Sequence, residues 1–222
     1  MKTAQMSRIG FRILRSALDM FRDRSAIAAT EFAVIVPIML VMFFGTVEFS
    51  SGVAVDRKVT LVARTLSDLT SQAPSSAPQA TYANVNDSYL QNVFTASISM
   101  FQPYPPTPTN ATISEIYVDS SNVARIQWSK AATIGSGATQ ATLVASSRNP
   151  GDVVTTLVPP ALLVKQTYLI LSEVSYLYVP TIGYVMVKTG VTMSDVAYTR
   201  PRQVTCLIYN NLLPAPSSCP LT

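Results

Sequence analysis

Few side chains in this 222-residue sequence are suited to chemistry, and their spacing narrows what they can do. There is no histidine. That removes the commonest general base and metal ligand, and with it Ser-His-Asp and Cys-His triads and most zinc sites. No Ser-x-x-Lys occurs, so the histidine-free acyl-enzyme motif is missing as well. Gly135-Ser136-Gly137 lacks the third glycine and the Lys-Ser/Thr of a phosphate cradle and reads as a linker. No spacing of Asp and Glu singles out a carboxylate pair of the kind glycosidases use. The expectation is a chain with no catalytic residue, no metal, no cofactor and no small-molecule substrate. Two sites remain. Cys206 and Cys219 form an even pair late in the chain, and Glu31 stands at the head of its most apolar stretch.

Glu31 is followed by sixteen uncharged, mostly apolar residues, Phe32 to Val47. An ionised carboxylate in hydrocarbon costs about 2.5–3.5 kcal/mol on insertion scales, so its presence asks for a reason. Three readings compete. Glu31 can sit at headgroup level at the start of an ordinary signal anchor. The segment can instead be a secretory leader cut near Gly52-x-Ala54, although Glu48 interrupts it and the leader is unusually long. Or the bond between Ala26 and Ile27 is cut, leaving Glu31 as the fifth residue, one helical turn from a free ammonium group that can neutralise it.

The charge pattern fixes the setting. Through Ala26 there are six bases (Lys2, Arg8, Arg12, Arg15, Arg22, Arg24) and two acids (Asp19, Asp23), while the remainder carries ten of each. The whole net charge of +4 therefore precedes the apolar span. This places the basic end in the cytoplasm and the C-terminal part outside, and it argues against nucleic acid as a partner. An even cysteine count in an exported segment reads as one disulfide, Cys206–Cys219, closing a short loop.

The elements that must position these residues follow from periodicity. Residues 1–26 form a basic amphipathic leader suited to the inner membrane surface. Residues 27–72 read as a spine, helical from Ile27 to about Thr70 and about 65 Å long at 1.5 Å per residue, whose first half is long enough to cross a bilayer. Pro37 inside it is expected to kink or locally melt it. Val55, Val59, Val62, Leu66 and Leu69 recur at spacings of four and three, a coiled-coil-like stripe expected to make helix contacts above the membrane. Residues 73–86, with Pro74 and Pro78, read as a linker. Residues 87–222 read as a small exported α+β head with an antiparallel sheet. It has a helix from Asp87 to Met100 and a hairpin of Thr112–Val118 with Val123–Trp128 around Asp119-Ser120-Ser121-Asn122. Gly135–Ala145 reads as a loop, Pro159–Val164 as a helical turn, Thr167–Val179 as an interior strand and Val204–Tyr209 as a last strand. Tyr168, Tyr176, Tyr178 and Tyr184 suggest sheet packing with hydroxyls reaching the rim. Asn86-Asp87-Ser88 and Asn110-Ala111-Thr112 fit a glycosylation acceptor pattern, a three-residue signal of little specificity.

Ala28-Ala29-Thr30-Glu31-Phe32-Ala33-Val34-Ile35-Val36-Pro37, followed by Phe44-Gly45-Thr46-Val47-Glu48-Phe49, resembles the TadE-like proteins. These are pilin-like minor components of the tight-adherence (Tad/Flp) pilus, a type IV-related system. The detailed likeness covers about 30 residues; Arg200-Pro201-Arg202 before the cysteine pair is a looser one. The larger TadG-type members carry longer exported domains, so length favours the TadE-like group. The resemblance implies a precursor cut by a membrane aspartyl prepilin peptidase between Ala26 and Ile27, with Glu31 and Phe32 as the recognition and assembly pair. Ala26 stands where glycine is usual. It implies an inner-membrane, single-pass protein with a cytoplasmic N-terminus and a head in the periplasm or the pilus. Its partners would be other pilin-like subunits and the Tad machinery. The rival is an uncleaved, single-pass anchored periplasmic binding or adhesion domain.

Overall fold

We describe a computed structural model of the chain, comprising residues 24–180, 189–209 and 219; the leader residues 1–23 and Tyr184 lie outside the described residues. It is α+β. Helix α1 is a single 48-residue helix, Arg24–Ser71, running through Pro37 without interruption. Chain contacts divide the protein into two compact units, one up to Ser50 and one from Ser51 onward.

In the second unit, α1 stops because Pro74 and Pro78 follow, and its four orphan carbonyls are satisfied by neighbouring residues, by Tyr89 and by Arg202. Asp68 O accepts from the Ser71 hydroxyl at 2.7 Å. Leu69 O accepts from Gln72 N at 3.3 Å and from the Tyr89 hydroxyl at 3.0 Å. Thr70 O takes Ala73 N at 3.2 Å, and Ser71 O takes Arg202 N at 2.9 Å. The helix end is thus tied to segments far along the sequence. Helix α2, Asp87–Ile98, is capped by Asn86, whose side chain accepts from Tyr89 N, and runs into a 3₁₀ turn at Ser99–Phe101. That cap explains why asparagine stands at position 86.

Five strands form an antiparallel sheet in the order β4-β3-β2-β5-β6: β2 Thr109–Val118, β3 Ala124–Thr133, β4 Thr142–Val144, β5 Thr167–Tyr178 and β6 Val191–Thr199. A second, parallel pair joins β1 Tyr82–Val85 to β7 Cys206–Tyr209. The expected hairpin forms, with the Asp119 carboxylate accepting from Ser121 N at 2.7 Å and Val123 N at 2.9 Å while Asn122 takes a positive φ. Pro160–Leu162 makes the expected turn as 3₁₀ helix, and β5 is interior. Three elements differ from expectation. The stretch read as a loop contains β4, the stretch read as a linker contains β1, and β6 had no counterpart in the sequence pattern. Gly190, just before β6, is required. It has φ +84°, and a Cβ there would lie 2.8 Å from Tyr178 O.

The sheet buries both faces. On one side Ala111, Ile113, Ile170 and Val174 pack with Val55, Val59, Val62 and Leu66 of α1 and with Leu90 and Phe94 of α2. On the other, Ile116, Val118, Leu169 and Leu171 pack with Val154 and Val158. Strand β3 contributes to both. Its register against β2 slips between Glu115 and Ile116, so Gln127 is an extra residue. Ala124 and Ile126 therefore join the second face, whereas Trp128 and Ala132 join the first. One extra residue flips the side chains that follow it.

Candidate functional site

The first unit presents a helical surface that is apolar all round. From Ile27 to Phe49 its large hydrophobic side chains are exposed, reaching 69% at Phe32 and 68% at Met42. The span is long and apolar enough to cross a membrane, with a mean hydropathy of 2.3 over its most apolar window. Such a surface requires lipid or other apolar helices around it. Its few polar groups suit that setting. Thr30 donates its hydroxyl to Ile27 O and Thr46 to Met42 O, both at 2.8 Å. Neither hydroxyl then needs a partner from water. Pro37 removes one amide donor, and the helix continues past it. Ala26 and Ile27 lie in the first turn of α1, where helices fray. Glu31 is exposed, one turn and about 6 Å of rise beyond Ile27, with Phe32 beside it.

The second unit uses its part of α1 in the opposite way. Val55, Val59, Val62 and Leu66 are fully buried, and Leu69 packs against the same cluster. The stripe is occupied within the chain, by the sheet and by α2. Each such side chain contributes about 1.5–3 kcal/mol through burial. Polar contacts reinforce the seat, with Ser172 donating to Ala63 O at 2.5 Å and Thr199 to Ser67 O at 3.1 Å.

Cys206 and Cys219 are joined, with Cα atoms 5.8 Å apart. The bond sits beside Tyr117, Tyr168 and Ile208, with Tyr82 packed against them. Of the tyrosines singled out, Tyr168, Tyr176 and Tyr178 are buried in the sheet as expected, and Tyr176 stacks on Phe101 at 4.8 Å between ring centres.

Sequence reasoning missed Glu115, a carboxylate fully buried in β2. Its Oε1 accepts from Leu207 N at 2.6 Å and its Oε2 from the Trp128 indole at 3.0 Å, while that indole also donates to Leu207 O at 2.8 Å. Glu115 thereby fastens β7 to the main sheet. Burial pushes its pKa up to about 8 against the two hydrogen bonds, which favour the ionised form. The one sequence signal was an acid in an apolar strand two positions from Ile113 and Tyr117, on their face. Arg148 and Glu173 form a second polar link, a two-pronged ion pair at 2.7 and 2.5 Å. It holds the Arg148 guanidinium pKa above its ordinary value.

The decisive observation is where the known likeness falls. Residues 26–67 match the model of the TadE-like protein family. The match begins at Ala26, takes in Glu31 and Phe32, and runs on through the buried stripe as far as Ser67. It bears out the resemblance read from the sequence, and with the one membrane-length apolar helix among the described residues it fits a membrane-anchored protein. The TadE-like segment lies entirely on α1. No curated protein and no solved structure matches this chain.

Proposed function

We propose that the chain is a minor pilin-like structural component of a Tad-type pilus assembly and secretion machine, without catalytic activity of its own. The observation that carries this is the TadE-like match, which covers an exposed apolar helix headed by Glu31-Phe32. In this reading a prepilin peptidase cuts between Ala26 and Ile27 on the cytoplasmic face of the inner membrane. The freed ammonium group of Ile27 and the Glu31 carboxylate, one turn apart or on neighbouring subunits, neutralise each other in the apolar surroundings. The apolar half of α1 then packs among the helices of other pilin-like subunits, and the head faces the periplasm or the pilus exterior.

Mass spectrometry of the membrane-extracted protein tests the processing step. A mature N-terminus at Ile27 is expected, whereas an intact start at Met1 or Met6 would sink it in favour of the uncleaved anchored domain. Glu31→Ala is expected to lower incorporation into the assembly by at least about tenfold, since a charge pair in apolar surroundings is lost. Unchanged processing and incorporation together would refute the role given to Glu31.

A further inference from the structure

At the end of the sheet where Thr109 pairs with Tyr176, the head presents an uncharged lip. Ser51, Tyr104, Pro105, Pro108, Tyr178 and Val179 enclose a recess of about 260 Å3. Pro105 and Pro108 are exposed, and Val179 is 53% exposed although it directly follows the interior strand β5. The lip is held in place from behind. Tyr176 donates its hydroxyl to Pro105 O at 3.0 Å, and Thr109 donates to Pro106 O. Lys58, two turns along α1 from Ser51, donates its ammonium to Met100 O at 3.0 Å and Gln102 O at 2.6 Å. That cation is therefore bound to the backbone that leads into the lip.

Chain connection fixes where this lip must be. The apolar span ends at Val47, and Ser51 follows four residues later, about 6 Å of helix rise. The headgroup layer on each side of a bilayer is roughly 5–7 Å thick. A lip that includes Ser51 is thus held within reach of that layer, however the head is turned. Its composition suits the place, because tyrosine offers an apolar body with a polar tip, and tyrosines gather at membrane interfaces. The opposite end of the same sheet carries Asp119-Ser120-Ser121-Asn122, which is polar and suits water.

We propose that the lip formed by Tyr104, Pro105, Pro108 and Val179 is a lipid-contact surface, seated in the headgroup layer of the bilayer that α1 crosses. This rests on the reading of Phe32–Val47 as a membrane span. The head then stands on the membrane through its own surface as well as through the helix.

Depth-resolved quenching of the full chain in lipid nanodiscs tests this. Fluorophores are placed on single introduced cysteines, Val179→Cys in the lip, Ser120→Cys at the far end of β2 and Met42→Cys in the span. The native Cys206–Cys219 pair is bonded and takes no label. Ser120 lies roughly 30 Å from the lip along the strand, at about 3.3 Å per residue. The label at Val179 is expected to be quenched by lipids spin-labelled near the headgroup, and about twofold or more less by aqueous iodide than the label at Ser120. Equal iodide quenching at the two sites overturns the lip. If Met42 is quenched by lipid and Val179 is not, the lip falls while the span stands. If Met42 is not quenched by lipid, both fall.

Discussion

The two parts of α1 belong to one uninterrupted helix yet meet opposite fates. Up to Ser50 the apolar side chains cover every face and lie exposed. From Ser51 on they form a stripe of valine and leucine, with Asp56, Arg57 and Arg64 outside it, and the stripe is buried in the head. The difference is in the arrangement of apolarity rather than its presence. A helix apolar all round must find an apolar solvent, whereas an amphipathic one can be covered by a small domain of its own chain. The TadE-like match spans both parts, so the segment shared with the family serves two packing tasks at once.

The strongest way to break this comparison is to truncate one side chain in each part. Leu66→Ala is expected to cost the head about 2–5 kcal/mol, because it leaves a cavity in a fully packed cluster. Met42→Ala should leave the unfolding midpoint of the head unchanged. Denaturation of the full chain in detergent, followed by the fluorescence of its one tryptophan, Trp128, measures both. Equal losses would erase the distinction between the two parts.

Removing the covalent clamp comes next. Replacing Cys206 and Cys219 together by serine opens a link with a sequence separation of 13, expected to cost about 3 kcal/mol in the same assay. Non-reducing peptide mapping that found two free thiols in the wild type would refute the bond itself.

A pH titration sharpens the role of the head. Glu115 has a folded pKa pushed up to about 8, against 4.5 in its ordinary state. Between those values the folded chain holds a proton that the unfolded chain has released, so its contribution to stability is full below about 4.5 and is lost as pH rises towards 8. Unfolding midpoints measured from pH 4 to 9 should decline across that window (approximate bounds). Glu115→Gln, which cannot ionise, should flatten the decline, and an unchanged slope would assign it to another group. The smallest effect is expected at the α2 cap, where Asn86→Ala removes the acceptor for Tyr89 N and costs about 1 kcal/mol.

How far the sequence could be read follows the same physics. The extent of α1, the hairpin at Asp119 and the interior strand β5 were legible because each rests on a local pattern long enough to exclude others. The destination of the Val55–Leu69 stripe was not, since a coiled-coil seam and a helix docked on its own sheet present the same spacing. Strand β1 is four residues long and exists through its pairing with β7, more than a hundred residues later, which no local window contains. Strand β4 has three residues and adds an edge to β3 alone. Strand β6 is a half-exposed edge strand carrying Asp195, so its pattern resembled a polar connection. Glu115 was hidden for another reason: an acid in a strand ordinarily faces water, and only the extra residue at Gln127 turns Trp128 inward to meet it. Of the candidate site, the pair of cysteines and the head of the apolar span were legible from residue type alone.

The bond between Cys206 and Cys219 has a mechanical consequence. β7 starts at Cys206 and lies wholly inside the closed loop, so tension entering the chain at Cys219 passes through the sulfur atoms to the first residue of the strand. The four residues paired with β1 are bypassed. A pull from that side does not load β7 from its Tyr209 end; it arrives at Cys206, next to Leu207, which Glu115 and Trp128 hold. For the head, the bridge serves as a strain relief.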